Sequence, residues 1–228
     1  MGQPKISVIV PVLNEEHVIA PTLQVLLSLA PYEIIVVDGG SADGTRQVCE
    51  QFGVKVLRSE RGRARQMNWG AREATGDLLL FLHVDTRLPM SALKDITAAL
   101  RDKDCPGGRF DVEIDGAHWM FKIIGALINY RSRMTKIATG DQALFVRRAI
   151  FETMGGFPDI PLMEDIVFCR VLKHIGPIAC LRTRVITSGR RWEREGVWRT
   201  IIRMWALKLC YLAGVSPRRL KQYYADTR

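Results

Sequence analysis

Ile6-Ser7-Val8-Ile9-Val10-Pro11-Val12-Leu13-Asn14-Glu15-Glu16 and Glu33-Ile34-Ile35-Val36-Val37-Asp38-Gly39-Gly40-Ser41-Ala42-Asp43-Gly44-Thr45 are two versions of one pattern. Each is a short β-branched apolar run that breaks into acids, amides and glycines. Between them, residues 15–29 place Val18, Ile19, Leu23, Leu26 and Leu27 on one helical stripe. Strands too apolar to face water on either side, separated by helices, predict a parallel sheet covered on both faces. The pattern continues outward through a helix over 43–52, a strand at Val54–Leu57, a helix over 63–74 and the strand Asp77-Leu78-Leu79-Leu80-Phe81-Leu82.

After Pro89 the pattern loosens. Ser91 can cap a helix running to Leu100, and Gly108–Ile114 alternates as an antiparallel or edge strand does. An apolar helix over 118–130, a short strand at Ala143–Val146 and helices over 164–174 and 197–212 complete the reading. With no internal repeat and no low-complexity linker, we expect one α/β domain over 1–195, a Rossmann-like, mostly parallel central sheet flanked by helices. A basic, aromatic helical appendage follows over 196–228.

The 228 residues are 47% hydrophobic, enough for a real core, and 25% charged, which excludes a disordered or fibrous chain. Lys and Arg number 33 against 24 acids, a net charge of +9. From Arg182 to Lys221 there are eleven Lys/Arg and only Glu193 and Glu195 as acids, so this segment holds the whole excess. That placement argues against nucleic acid as a partner and for smaller anionic targets. Five cysteines without a C-x-x-C pair read as reduced, mostly buried thiols of a cytosolic protein. No signal peptide and no membrane span are expected.

Ligands of open α/β sheets bind beyond the carboxyl ends of the strands. Three strands end there in polar residues: Asn14-Glu15-Glu16, Asp38 to Thr45, and His83-Val84-Asp85-Thr86. Taken singly, Asn14, Ser41 and Asp43 are helix caps and Gly39-Gly40 a tight turn; three such endings in register point to a ligand.

These motifs, with Met163-Glu164-Asp165 further on, resemble family 2 of the inverting, nucleotide-sugar-dependent glycosyltransferases of the GT-A fold. Leu82-His83-Val84-Asp85-Thr86-Arg87-Leu88-Pro89, Gly140-Asp141-Gln142-Ala143-Leu144-Phe145-Val146-Arg147-Arg148 and the run from Gly155 to Asp165 are similar to a small bacterial subgroup, some of whose genes lie beside arsenosugar genes. The resemblance implies that Pro11, Asn14, Glu16 and Asp38 hold the base and ribose of a UDP- or GDP-linked donor, with Gly40 letting backbone approach it. It sets Arg63 and Asn68 beside the donor, where an Arg is either a diphosphate ligand or simply solvated. At the family's D-x-D motif this chain reads His83-Val84-Asp85. Asp85 matches the position that binds Mg2+ or Mn2+, while His83 is either a donor contact or a satisfied, partly buried histidine.

The resemblance further implies that Asp165 is the base that deprotonates the acceptor, with Glu164 orienting the acceptor or capping the helix. Asp141 would lie under the donor sugar. Ser188-Gly189-Arg190-Arg191-Trp192 is similar to the family's Q-x-x-R-W element without its glutamine, so Arg191 would hold the diphosphate and Trp192 stack on a sugar or lipid acceptor. The acceptor is expected to be a small molecule or a lipid. His83 and the missing glutamine keep open a nucleotide-sugar-binding protein with little transferase activity. Trp198, Ile201, Ile202, Trp205, Leu209 and Leu212, interleaved with Arg199, Arg203 and Lys208, form a basic amphipathic helix. That helix suits an anionic membrane, packing on the sheet, or a homodimer contact, and the expected location is cytoplasmic, peripheral on the inner face of the membrane.

Overall fold

A computed structural model describes residues 3–224; residues 1–2 and 225–228, which end the expected appendage, lie outside the described residues, as does the side chain of Leu212. The first half alternates as expected: β1 (Ile6–Val12), α1 (Glu16–Leu29), β2 (Glu33–Asp38), α2 (Thr45–Gln51), β3 (Lys55–Arg58), α3 (Arg63–Arg72) and β4 (Leu78–Phe81). The second half adds β5 (Thr86–Arg87), α4 (Ala92–Ala99), β6 (Gly107–Asp115), α5 (Met120–Thr135), β7 (Leu144–Arg147) and α6 (Arg148–Thr153). It closes with α7 (Glu164–Ile175), β8 (Ile178–Ser188), α8 (Arg190–Glu195), α9 (Val197–Leu212) and α10 (Pro217–Gln222).

The eight strands of the described residues join one sheet in the order β3-β2-β1-β4-β7-β6-β8-β5. β3, β2, β1 and β4 are mutually parallel, β7 runs antiparallel between β4 and β6, and β6 and β8 are parallel to each other. The sheet is therefore mostly parallel. Period-two alternation divides its residues between two cores. Ile6, Val8, Val10 and Val12 of β1 pack with Ile19, Leu23 and Leu26 of α1 and Ile96 of α4. Ile9, Ile35 and Val37 pack with Ala64, Met67 and Ala71 of α3 and Phe168 and Leu172 of α7. Pro11 is tolerated in a central strand because β1 pairs with β4 only as far as Ile9, so the missing N–H at residue 11 costs no ladder bond there.

Three expectations are corrected. The 108–114 strand is neither antiparallel overall nor an edge: β6 lies inside the sheet, pairing antiparallel with β7 through Gly107 and Gly108 alone and parallel with β8 along its length. β8, eleven residues long, was not anticipated at all. Ser91 precedes α4 but makes no capping bond; its hydroxyl donates to Asp95 instead. The appendage packs on the sheet's helices, with Val197 and Ile201 against Phe121 and Ile124 of α5, and Leu207 against Met163 and Ile166. Three of the five thiols, Cys49, Cys105 and Cys169, are buried. Among the described residues no helix is long and apolar enough to cross a membrane.

Candidate active site

The chain leaves β1 to one side for β2 and β3, then returns to the other side for β4, so the topological switch lies between β1 and β4. At that edge the loops after β1 and β2 are laced together. Asn14, in a left-handed conformation at φ 55°, donates its backbone N–H to Ser41 Oγ at 2.9 Å and accepts Ala42 N–H on Oδ1 at 2.8 Å. Glu16 accepts Gly44 N–H at 2.7 Å, while Asp43 accepts Glu16 N–H at 3.3 Å and Thr45 N–H at 3.0 Å. Asn14 thus ties the two loops together rather than capping α1, while Asp43 does both, accepting the first N–H of its own helix α2 from Thr45 and the first N–H of α1 from Glu16. Buried Asp38 accepts the Ser41 N–H and hydroxyl on one oxygen, fixing the turn before Gly40, which lies at φ 91° with open space where a side chain would stand.

Gln66, which sequence reading passed over, spans the edge underneath. Its buried amide donates to Val12 O and Val37 O, both at 2.8 Å, and closes the ends of β1 and β2 where they part. A lone glutamine on a helix carries no periodic signal, so nothing in the sequence marks it. Asn68, two residues on, donates to Phe157 O at 2.8 Å and accepts Phe157 N–H at 2.9 Å. Both ends of its amide thus hold the Gly/Pro-rich loop before α7 rather than pointing at a ligand. Phe157 stacks into a cluster with Phe81, Phe151 and Phe168, which fixes that loop to the end of β4.

A small cleft at the β4 end is lined by Arg63, His83, Gly140, Glu164 and Asp165 over an apolar floor of Met67, Phe81, Leu144 and Phe157. Met163, at φ 69°, turns the chain so that Glu164 and Asp165 form the first turn of α7. Asp165 accepts Gly140 N–H at 2.8 Å and Ile166 N–H at 2.7 Å. His83 Nδ1 lies 3.2 Å from Asp141 Oδ1, and its ring is pressed on Gly140, where a Cβ would come within 2.4 Å of Cε1 and Nε2. Only glycine allows this approach. His83 Nε2 is buried without a hydrogen-bond partner among the described residues. His83 is thus not a fully satisfied core histidine.

Charge is unevenly spread in this cleft. Burial and the neighbouring Glu164 push the Asp165 carboxyl up to about 7, against the opposing Gly140 and Ile166 bonds and the Arg63 charge. Desolvation in the cleft works against ionisation of Asp141, whose side chain is half exposed, but its His83 contact and the Arg63 and Arg191 charges outweigh it and bring it down to about 2. Arg63, 3.8 Å from Glu164, is held above its usual range despite burial by Glu164, Tyr224, Asp141 and Asp165. Arg191 lies over the Tyr224 ring, 4.6 Å from its centroid, and donates to its hydroxyl. The basic loop is tied to the β4 edge where Ser188 N–H donates to Asp85 O at 3.1 Å. Trp192 is partly buried in the packing of Phe121, Ile124 and Val197.

For a divalent cation, no group of three His, Cys, Asp or Glu side chains converges among the described residues. Asp85, between β4 and β5, is partly exposed, and among the described residues its carboxylate makes no hydrogen bond or ion pair. One such carboxylate, completed by ligand phosphates and water, suits Mg2+ or Mn2+. The residues therefore fit a cation that arrives with a phosphorylated ligand.

Fold and edge together define an α/β protein whose ligand site is built from the carboxyl ends of β1, β2 and β4. The chain belongs to Glycosyl transferase family 2, whose model matches residues 7–155. It is 28% identical to "Probable glycosyltransferase YdaM" of Bacillus subtilis across 84% of this chain and 51% of that protein. It is 27% identical to "Glycosyltransferase AglE" of Haloferax volcanii, across 94% and 82%. Among solved structures, Staphylococcus aureus TarS with UDP superposes with a TM-score of 0.65 at 23% identity, covering 81% of this chain and 60% of that one. Pyrobaculum calidifontis mannosyltransferase PcManGT, in complex with GDP-Man and Mn2+, gives 0.62 at 22%, covering 82% and 57%. These likenesses establish the GT-A fold. The chain spans about half the length of YdaM and under two thirds of either solved structure.

Proposed function

We propose that the protein transfers a sugar, with inversion, from a UDP- or GDP-linked donor to a hydroxyl of a small-molecule or lipid acceptor. The observation that carries this reading is Asp165, a carboxylate in the cleft beside Gly140 whose proton affinity lies near neutral pH. The base and ribose would lie along Pro11, Asn14, Glu16, Asp38 and Gly40, with the diphosphate toward Asp85, Arg63 and Arg191. Asp141 and His83 would face the donor sugar. A divalent cation held by Asp85 would supply charge neutralisation for the diphosphate as it departs.

Asp165 would accept the proton as the acceptor oxygen bonds to the anomeric carbon. The carbon–oxygen bond to the diphosphate breaks, and its electron pair leaves with the nucleotide. A base whose pKa matches the working pH is the most effective one. Glu164 keeps Asp165 from ionising too early, and Arg63, facing both acids, would hold the growing negative charge. Asn68 acts indirectly, fixing the loop that presents Met163, Glu164 and Asp165. The subgroup motifs place the chain, in our reading, with the small bacterial enzymes to which they are similar.

The experiment is Asp165→Asn, which should abolish sugar transfer while calorimetry still finds the donor bound with unchanged affinity. Turnover in that variant would remove Asp165 as the base.

A further inference from the structure

α5 and α9 meet where Val197 and Ile201 pack on Phe121, Ile124 and Ile128. The outward faces of both are apolar. On the α5 side Trp119, Ile123, Leu127, Tyr130 and Met134 recur at helical spacing and are between 46% and 68% exposed. On α9, Trp198, Ile202, Trp205 and Leu209 do the same at 60% to 67%. Nine large side chains on two adjoining helices form an apolar surface that no other described element covers.

The charges carried by the two helices themselves have one sign. α5 contributes Lys122, Arg131 and Arg133, and α9 contributes Arg199, Arg203 and Lys208; neither helix contains an acid. Arg133 and Arg203 are paired, with Asp111 and Glu195. A groove of about 680 Å3 beside α9 is lined by Arg199, Ile202, Arg203, Gln222 and Tyr223. A second copy of the same face would bring cation against cation, whereas an anionic bilayer is complementary in both hydrophobicity and charge. Tryptophan and tyrosine at the rim of an apolar stripe suit a lipid–water boundary.

One cation of each helix lies within electrostatic reach of Asp165. Arg131 of α5 and Lys208 of α9 both feel the charge of Asp165, and Lys208 also feels Arg170, which lies over the Tyr211 ring at 5.7 Å. Arg131 Nε and Nη2 are buried and have no hydrogen-bond partner among the described residues, a costly state that an anionic oxygen would relieve. Burial, together with the repulsion of Arg131 and Arg170, weakens the hold of Lys208 on its proton.

We propose that the α5–α9 face lies on an anionic bilayer and that the acceptor is a hydroxyl-bearing membrane lipid whose phosphate is held by Arg131 and Lys208 beside Asp165. The lipid assignment rests on the transferase reading above, while the docking face stands without it. In the transfer step the lipid hydroxyl oxygen bonds to the anomeric carbon, its proton passes to Asp165, and the nucleoside diphosphate leaves with the electron pair of the broken bond.

The test uses the full chain and co-sedimentation with vesicles of pure phosphatidylcholine or of phosphatidylcholine with phosphatidylglycerol. Binding should require phosphatidylglycerol, fall at high salt, and drop at least tenfold in Trp198→Ser/Trp205→Ser, whose circular dichroism and donor affinity should match wild type. In the presence of donor, Arg131→Gln and Lys208→Gln should still sediment with the vesicles but raise the concentration of soluble glycerol 3-phosphate needed to inhibit turnover at least tenfold. Failure to bind anionic vesicles, or equal binding by the double tryptophan variant, overturns the docking face. Light scattering that shows a dimer split by those tryptophan changes assigns the face to a second copy and also overturns it. No inhibition of wild type by glycerol 3-phosphate, or unchanged inhibition in both cation variants, overturns the phosphate site. Absence of donor binding to wild type would instead count against the transferase reading and leave the vesicle result standing by itself.

Discussion

The pH dependence of turnover tests the cleft most directly. With Asp165 raised to about 7, its ionised fraction is about one in eleven at pH 6 and about ten in eleven at pH 8. If the ionised form is the base, kcat/KM, which reports the groups of the free enzyme, should rise about tenfold between those values and level off above them. The cause can be tested separately. Burial and Glu164 are the two causes that push Asp165 up, so Glu164→Gln should move the midpoint to lower pH. Nucleoside diphosphate release, followed from pH 5.5 to 8.5, reports both.

The stability of the fold should move the opposite way. The folded protein retains a proton that the unfolded chain has lost above the ordinary carboxyl value of 3.8, so Asp165's contribution is fully present below that value and disappears as pH rises through about 7. Asp165→Asn should remove that part of the slope in melting temperature. A flat rate profile across pH 6 to 8, with chemistry shown to limit the rate, would refute the assignment.

Gly140→Ala would place a methyl 2.4 Å from the His83 ring, so the His83–Asp141 contact must move; we expect kcat to fall on the order of 10²-fold with little change in melting temperature, measured side by side. Gln66→Leu leaves Val12 O and Val37 O without their shared donor and should cost about 1–3 kcal/mol in urea unfolding. Calorimetry should show Mn2+ tightening donor binding in wild type and not in Asp85→Asn, and chelation by EDTA should abolish turnover until Mg2+ or Mn2+ is restored. Asp111→Ala strips buried Arg109 of its carboxylate partner and should destabilise the fold by about 3–5 kcal/mol in the same urea assay.

How much of this was legible in the sequence follows from which interactions are local. The runs at 6–12, 33–38 and 78–81 are apolar on both faces because helices cover both faces, and that requirement shows in one dimension. The polar strand ends were equally visible, and the sheet order does bring Asn14, Asp38 and Asp85 to one edge. β8 was missed because Arg182, Thr183 and Arg184 interrupt a strand that is only partly buried, so its pairing with β6 replaces the hydrophobic signal. β6 was read as an edge because its alternation is real, yet residues over seventy positions away cover it.

Within the cleft, the sequence by itself supplied the acids and the histidine but not their states. Whether Asp165 is an acid or a base at neutral pH depends on burial, on Glu164 beside it and on the Gly140 N–H from another element. That His83 keeps one nitrogen unpaired depends on a glycine 57 positions later. The amphipathic character of residues 197–212 was set by their order, but its meaning was set by α5, whose matching apolar stripe becomes contiguous with theirs only when the two helices pack. Periodicity and turn chemistry are properties of neighbours along the chain. Proton affinity, orphaned donors and shared surfaces are properties of neighbours in space, and only the tertiary structure decides who they are.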